Sequence, residues 1–186
     1  QRKVKINFYK KDCLNIISIA RFSDQKDHAC LIKSINILKD NYNVRLILLG
    51  SGSLKEQIQN LIKNLNLSKN IKIYDFKKNP YPYLIKSDLF VLSSKYEGSP
   101  NVLLEAIYLK KFVISSDCPT GPREILDGGK GGDLFKVGDY LMLSKKIKFF
   151  IKNKKKLDSK KLYAFERLKR FDYKSRLNDY LNVVIK

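Results

Sequence analysis

Short runs of apolar residues alternate along this chain with longer segments in which apolar residues recur every three or four positions. The runs 15–20 and 89–92 lack regular polar alternation, as expected of strands that are buried on both faces. The segment 28–40 follows helical spacing. The pattern predicts strands over 15–20, 44–49, 71–74, 89–92, 112–115 and 133–135, and helices over 28–40, 54–65, 82–86, 122–126, 140–151, 154–169 and 173–184, with one more helix after residue 100.

Strands that alternate with helices predict an α/β fold: a Rossmann-like, doubly wound parallel sheet with helices on both faces. The length suits one domain, and we expect residues 1–186 to form it. In such sheets, ligands bind beyond the carboxyl ends of the strands. Five loops of unusual composition follow predicted strands and are expected to converge on that edge: 21–26, 50–53, 75–79, 95–101 and 116–123.

The composition argues against several classes of protein. No apolar run reaches the ~18 residues that span a bilayer. Cys13, Cys30 and Cys118 are odd in number and far apart, which fits a reducing compartment and argues against a disulfide scaffold or a metal site. The only histidine, His28, has no cysteine at ligand spacing, and we interpret it as a residue at the start of a helix.

The formal net charge of +20 is compatible with nucleic acid, an anionic membrane surface or an anionic small molecule as partner. Lysines are dispersed through a chain rich in Asn and Ile, so the charge by itself selects none of these. The segment 145–161 is denser in Lys; it predicts a solvated helix face, with membrane-surface contact as the alternative. Nucleic acid is disfavoured because Tyr and Phe mostly fall at predicted core positions.

Two carboxylates, Glu97 and Glu105, bracket the turn that follows the predicted strand 89–92. Glu105 lies among apolar residues of the next helix, where a carboxylate needs a partner such as a ligand hydroxyl. For an isolated pair of this kind, the alternative is that Glu97 is solvated in a loop and that Glu105 lies on the exposed helix face.

The start of the helix after this turn is itself a candidate anion site. We expect Ser99 to be its N-cap and Pro100 its first residue, where the missing N–H costs nothing. The N–H groups of Asn101 and Val102 would then point outward at the positive end of the helix dipole.

Two other strand-end loops contain residues that suit a phosphate ligand. Arg21 and Lys26 combine a bidentate guanidinium with a mobile ammonium, the pair that suits a diphosphate. Taken alone, however, they are better explained as two surface cations in a Lys-rich chain. The glycines of the loop 50–53 permit close approach of a ligand or simply a tight turn. The segment 79–84 favours a rigid aromatic turn, and 116–126 opens another short helix.

In this order, these blocks resemble the C-terminal, donor-binding half of a retaining glycosyltransferase of the GT-B fold, in the large group 1 (family 4) class. The resemblance rests on residues 20–27, 48–52 and 97–105, the last being the E-x7-E motif of the class. It extends through 81–94. Residues 117–126 are similar to the subset that builds capsule, lipopolysaccharide and other surface glycans.

The resemblance implies a nucleotide-sugar donor, above all a UDP-sugar, and it implies roles by position. Arg21 and Lys26 would bind the donor diphosphate, and Glu105 would accept hydrogen bonds from the ribose hydroxyls. Glu97 would lie against the donor sugar, so Glu97, Arg21 and Lys26 are the residues expected to act in catalysis. The other implied donor contacts are Gly50, Gly52, Phe76, Gly98, Ser99, Asn101 and Val102.

Three departures from the class are informative. Ala20 replaces the usual Gly before the Arg, and Asp75 replaces a frequent Gly, where it is expected to alter base contacts or crowd the pocket. The acceptor-binding N-terminal half has no counterpart, so we expect this chain to bind donor but to transfer sugar poorly or not at all. No metal or other cofactor is expected, since the class needs none and the sequence has no Asp-x-Asp pair.

The expected activity is therefore glycosyl transfer from a UDP-sugar to a lipid-linked or surface glycan with retention of configuration, this chain supplying the donor site. The alternatives are a non-catalytic nucleotide-sugar-binding module and a basic nucleic-acid-binding domain. The expected location is the cytoplasm, with peripheral contact at the inner face of the cell membrane.

Overall fold

Six parallel strands form the central sheet of the computed structural model, which describes residues 6–172. They are β1 (Leu14–Ile19), β2 (Val44–Leu49), β3 (Ile71–Tyr74), β4 (Leu89–Leu92), β5 (Phe112–Ser116) and β6 (Asp133–Phe135). Their order across the sheet is β3-β2-β1-β4-β5-β6, and every pairing is parallel. This order is that of a doubly wound Rossmann-like sheet, with a switch point between β1 and β4. The predicted fold class is confirmed.

Helices connect the strands and cover both faces of the sheet. They are α1 (His28–Leu38), α2 (Lys55–Asn64), α3 (Tyr81–Ile85), α4 (Asn101–Tyr108), α5 (Pro122–Ile125), α6 (Tyr140–Asn153) and α7 (Asp158–Arg167). The predicted helix 154–169 is wrong at its start, because Lys154–Leu157 is a 3-10 turn that precedes α7. The predicted helix 173–184 lies outside the described residues.

Successive strand residues are buried on opposite faces of the sheet. Ile16 packs with α1, α2 and α6, whereas its neighbour Ile17 packs on the side of α3, α4, α5 and α7, and both are fully buried. Each such side chain contributes about 1.5–3 kcal/mol through burial. Because both faces are covered, the strands contain the continuous apolar runs by which they were predicted.

The strand registers align the carboxyl ends of neighbouring strands. Ile19 pairs with Leu49, and Leu49 pairs with Tyr74. The ladder continues one residue further, since the Ala20 N–H donates to the Leu49 carbonyl at 3.1 Å and the Gly50 N–H donates to the Tyr74 carbonyl at 3.0 Å. The loops after β1, β2 and β3 therefore leave the sheet side by side.

His28 is the first residue of α1, as interpreted from the sequence, and it is buried. Its ring packs edge-on against Phe22 with the centroids 5.1 Å apart, and neither ring nitrogen has a hydrogen-bond partner within residues 6–172. Burial, with a smaller contribution from the Lys26 ammonium, lowers the pKa of His28 from 6.5 to about 4. The fold therefore accommodates the neutral imidazole.

This histidine makes the protein less stable in mild acid. Between about pH 6.5 and pH 4, the unfolded chain binds a proton at His28 that the folded chain excludes, so the free energy of unfolding is expected to fall by up to about 3 kcal/mol as the pH drops through this window. Urea denaturation at several pH values measures the slope. His28→Phe should flatten it, and an unchanged slope in that variant would contradict the assignment.

Candidate functional site

A pocket of about 520 Å³ opens at the carboxyl edge of the sheet, next to the switch between β1 and β4. Its volume suits a small organic ligand. We call it the switch-point pocket. The last residues of β1 and β2, the loops after the first three strands, the first residue of α3 and one residue of α4 line it: Ile19, Ala20, Arg21, Leu49, Gly50, Ser51, Phe76, Lys77, Lys78, Pro80, Tyr81 and Glu105.

Two opposite charges border this pocket without pairing. The guanidinium of Arg21 is exposed, and the carboxylate of Glu105 is half-buried on α4. Neither side chain has a hydrogen-bond or ion-pair partner in the part of the chain that the structure describes. Burial raises the pKa of the Glu105 carboxyl above its ordinary value. Both groups are therefore available to a ligand that presents an anion and a hydroxyl donor.

The two glycines after β2 are required by the packing of one loop on another. A Cβ on Gly50 would lie 1.9 Å from the Ala20 carbonyl oxygen, and a Cβ on Gly52 would lie 2.3 Å from that of Phe22. Of the two, Gly50 lines the switch-point pocket and Gly52 does not. The tight-turn interpretation therefore accounts for both, and a ligand contact of Gly50 stays a prediction.

Glu97 forms a buried ion pair with Lys26. The Glu97 Oε1 atom accepts hydrogen bonds from the Lys26 ammonium and from the Ser94 hydroxyl, each at 2.6 Å, and Glu97 is 9% exposed. The alternative that Glu97 is solvated in a loop is wrong. The structure thus brings together two of the predicted catalytic residues, while Arg21 stands apart on the pocket wall.

Further contacts join the loop after β1 to the loop after β4. The Lys95 N–H donates to the Gln25 carbonyl at 2.7 Å, and the Gln25 amide donates to the Tyr96 carbonyl at 2.9 Å. The Ser93 hydroxyl donates to the Lys26 carbonyl at 2.9 Å. These bonds hold the backbone on both sides of the ion pair.

The loop after β5 supports Glu97 from its other side. The Glu97 N–H donates to the Pro119 carbonyl at 3.3 Å, and the Thr120 hydroxyl donates to the Glu97 carbonyl. Gly121 packs directly beneath Pro100, since a Cβ at Gly121 would lie 2.5 Å from the Pro100 Cδ atom. The backbone around Glu97 is therefore held by two other strand-end loops, those after β1 and β5.

The predicted start of α4 is wrong by one residue. Pro100 is the N-cap, with a non-helical ψ of 86°, and Asn101 is the first helical residue. Ser99 is exposed and no side chain caps the helix, because the packing of Pro100 on Gly121 keeps the proline outside the helix. Neither Asn101 nor Val102 uses its backbone N–H in a backbone hydrogen bond within residues 6–172.

The five predicted loops reach one edge of the sheet, but they do not all line the same cleft. The second cleft, of about 720 Å³, is lined by Gly98 and by the loop after β5. Within it, the Arg123 guanidinium donates to the Asp117 carboxylate, with the Nε–Oδ1 distance at 2.9 Å. Ser99, Asn101 and Val102 line neither cleft.

Several residues of the site carry no signal in the sequence spacing. Tyr81 lines the switch-point pocket, although the sequence favoured only a rigid turn there. Lys77 and Lys78 line it as well, in the loop 75–79 that was expected at this edge. Ser94 and Thr120 support Glu97 across loop contacts that no local pattern reveals.

Asp75 does not line the switch-point pocket, so the expectation that it crowds the pocket is wrong, whereas an altered contact to the base stays a prediction. Asp75 pairs with Lys55 at 2.5 Å and is absent from the pocket lining. The ion pair and hydrogen bond to Lys55 fix its side chain beside α2, and they lower the pKa of the Asp75 carboxyl.

Residues 6–172 contain no group of three or more His, Cys, Asp or Glu side chains that could hold a metal ion. No helix among them is long and apolar enough to cross a membrane. The expectation that the site requires no metal stays a prediction.

Comparison with known families and sequences gives a consistent result. The family described as "Glycosyl transferases group 1" matches residues 2–167. An uncharacterized glycosyltransferase of Methanocaldococcus jannaschii is 46% identical over 117 residues, which are 62% of this chain and 29% of that protein. The N-acetylgalactosamine-N,N'-diacetylbacillosaminyl-diphospho-undecaprenol 4-alpha-N-acetylgalactosaminyltransferase of Campylobacter jejuni is 32% identical over 170 residues, 91% of this chain and 46% of that protein.

Solved structures share the fold. TarM of Staphylococcus aureus superposes with a TM-score of 0.84 at 26% identity, over 96% of this chain and 37% of TarM. Anabaena HepE in complex with UDP superposes with a TM-score of 0.83 at 22% identity, over 93% of this chain and 49% of HepE. The chain spans less than half the length of each of these four proteins.

The contact between Gly121 and Pro100 can be tested by adding one methyl group. Gly121 has a φ of +86°, and a Cβ there would also lie 2.6 Å from the Gly98 carbonyl oxygen. Gly128→Ala is a matched control, because Gly128 has a φ of +64° but open space around it. Gly121→Ala is expected to lower the free energy of unfolding by about 2–4 kcal/mol and the control by about 1 kcal/mol, as measured by chemical denaturation. Equal losses would rule out the packing role.

Proposed function

Because this chain belongs to the group 1 glycosyltransferases, we propose that it supplies the nucleotide-sugar donor site of a retaining glycosyltransferase that builds a surface or lipid-linked glycan. The observation that carries the proposal is that two charged groups of opposite sign, neither of which has a partner among the described residues, border the switch-point pocket. These groups are the Arg21 guanidinium and the Glu105 carboxylate, and the pocket has a volume of about 520 Å³. A nucleoside diphosphate needs a fork-shaped cation for its phosphates and an acceptor for its ribose hydroxyls.

UDP is the proposed nucleotide. Its presence in the HepE structure supports this choice, since that protein shares the fold over 93% of this chain. The exposed ring of Phe76 forms part of the pocket wall, where it can stack on a base. Arg21 would then hold the diphosphate between this wall and the end of β1.

The Glu97–Lys26 pair is assigned to the sugar and the phosphate. An ammonium has three N–H donors, so Lys26 can keep its 2.6 Å bond to Glu97 while donating to a phosphate oxygen. Glu97 would accept from the sugar hydroxyls. Its backbone is fixed by neighbouring loops, so little reorganisation is needed when a ligand binds.

In the chemical step, the acceptor hydroxyl oxygen would form a bond to the anomeric carbon while the bond from that carbon to the donor phosphate oxygen breaks. The hydroxyl proton would pass to the departing diphosphate. Negative charge grows on the departing diphosphate, where Arg21 and Lys26 would stabilise it together with the free N–H groups of Asn101 and Val102. Attack from the same face, guided by that phosphate, retains the configuration. The 4-alpha linkage formed by the Campylobacter relative agrees with retention when the donor is itself an alpha-glycoside.

The acceptor is proposed to be lipid-linked or part of a surface glycan. The name of the Campylobacter relative specifies a diphospho-undecaprenol acceptor, and an Escherichia coli relative, 32% identical over 64% of this chain and 34% of its own length, is a lipopolysaccharide 1,6-galactosyltransferase. We place the donor site on the residues described here and the acceptor site on the N-terminal half of such a glycosyltransferase. The proposed location is the cytoplasm, in contact with the inner face of the membrane.

Titration calorimetry with UDP tests the donor site. Arg21→Ala and Glu105→Gln are each expected to weaken UDP binding about tenfold or more, because each removes a hydrogen bond to a charged group. Arg167→Ala and Glu56→Gln change the same charges at exposed positions outside the pocket and should bind UDP as the parent chain does. A folded chain that binds none of UDP, GDP and ADP would refute the proposal.

The raised pKa of Glu105 predicts a pH dependence of donor affinity. The ionised carboxylate is the better acceptor for ribose hydroxyls, so donor affinity should fall as the pH is lowered from neutrality towards the raised pKa of this group. A UDP-sugar is the suitable probe, because its diphosphate does not titrate in this range. Glu105→Gln should lack this dependence, and a parent-like pH profile in that variant would assign the titration to another group.

A further inference from the structure

Helix α6 has one buried side and one side that faces solvent. Leu143, Ile147 and Phe150 are buried on the sheet side, and the ring of Phe150 stacks on that of Phe112 with the centroids 5.1 Å apart. This packing fixes the rotation of the helix. It therefore determines which side chains point away from the protein.

Five side chains form the solvent-facing stripe, which we call the outer α6 face: Leu141, Lys145, Lys148, Phe149 and Lys152. Their spacing of three and four residues places them along one side of the helix. All five are exposed, and the two apolar ones, Leu141 and Phe149, are 54% and 50% exposed. The outer α6 face thus places two large apolar side chains among three lysines.

All the charged side chains in and just after α6 are positive. Residues 140–157 contain seven lysines and no Asp or Glu. Lys145, Lys148 and Lys152 have no ion-pair partner among residues 6–172, whereas Lys160 and Lys161 just beyond pair with Asp133 and Asp158 at 2.7 and 2.6 Å. The positive charge of the outer α6 face is thus not neutralised within the described protein.

We propose that the outer α6 face docks on an anionic phospholipid surface. The lysine ammoniums would bind headgroup phosphates, while the lysine stems, Phe149 and Leu141 enter the boundary between headgroups and acyl chains. A lysine ammonium is a compact charge on a flexible stem, which suits binding to mobile lipid headgroups. The face contains no arginine, whose planar guanidinium suits bidentate binding to a partner of fixed geometry. One phenyl ring offers no platform for successive bases, which disfavours nucleic acid.

This inference names a surface for the membrane contact proposed above, and it does not depend on the donor pocket. Sedimentation with phosphatidylcholine vesicles, alone or containing about one third phosphatidylglycerol, at about 0.1 M salt, measures it directly. The chain should bind only the anionic vesicles. The triple variant K145Q/K148Q/K152Q is expected to bind them about 100-fold more weakly.

A matched variant distinguishes binding through the outer α6 face from an effect of the net charge of the chain. K11Q/K63Q/K69Q removes the same charge at exposed positions off α6 and should bind anionic vesicles within about threefold of the parent chain. Equal binding to both kinds of vesicle, or equal losses in the two triple variants, would overturn the proposal. A preference for an acidic protein or for nucleic acid over anionic vesicles would overturn it as well.

Insertion of the apolar anchor can be followed independently. The chain has no Trp, so Phe149→Trp supplies a single reporter whose emission should shift to the blue with anionic vesicles. Tyr108→Trp, which is 69% exposed on α4 across the sheet, should show no shift. Equal shifts, or none at position 149, would contradict docking through this face.

The same variants keep the two proposals distinguishable. UDP titration of K145Q/K148Q/K152Q should match the parent chain, because none of the three lysines lines the switch-point pocket. A chain that binds anionic vesicles as expected but no nucleotide would remove the proposed function and leave this inference standing.

Discussion

Burial of both faces of a parallel sheet is the constraint from which the rest of the structure follows. Adjacent residues such as Ile16 and Ile17 must each find an apolar partner, one above and one below the sheet. Crossover helices on both faces satisfy this requirement and force every strand to run in the same direction. All the carboxyl ends then meet at one edge, and the change of winding direction between β1 and β4 leaves the crevice there.

A second constraint acts at that edge. A carboxylate as buried as that of Glu97 is stable only with a cation and hydrogen-bond donors beside it, and Lys26 and Ser94 supply them. The two partners come from loops separated by about seventy residues. The sheet brings the loops after β1 and β4 close together, and the ion pair joins them. The ion pair also orients Glu97 before any ligand binds.

Much of the fold could be predicted from local pattern. The bounds of β2, β3, β4 and β6 agree with the sequence prediction, because apolar runs flanked by turn residues are a local signal. The start of α4 could not be predicted in the same way, since Pro100 is kept out of the helix by Gly121, twenty-one residues further along. Of the candidate site residues, Arg21, Gly50, Phe76 and Glu105 do line one pocket, whereas Ser99 and Gly52 do not.

By itself, the sequence determined the α/β class, the family and the loops that reach the functional edge, because each depends on residue types at short spacing. Only the tertiary structure decided that Lys26 is bonded to Glu97, that Tyr81 joins the pocket wall, and that the loops line separate clefts. It also decided which side of α6 faces outward. These outcomes depend on side chains from distant segments competing for the same space and charge, and no local pattern contains that information.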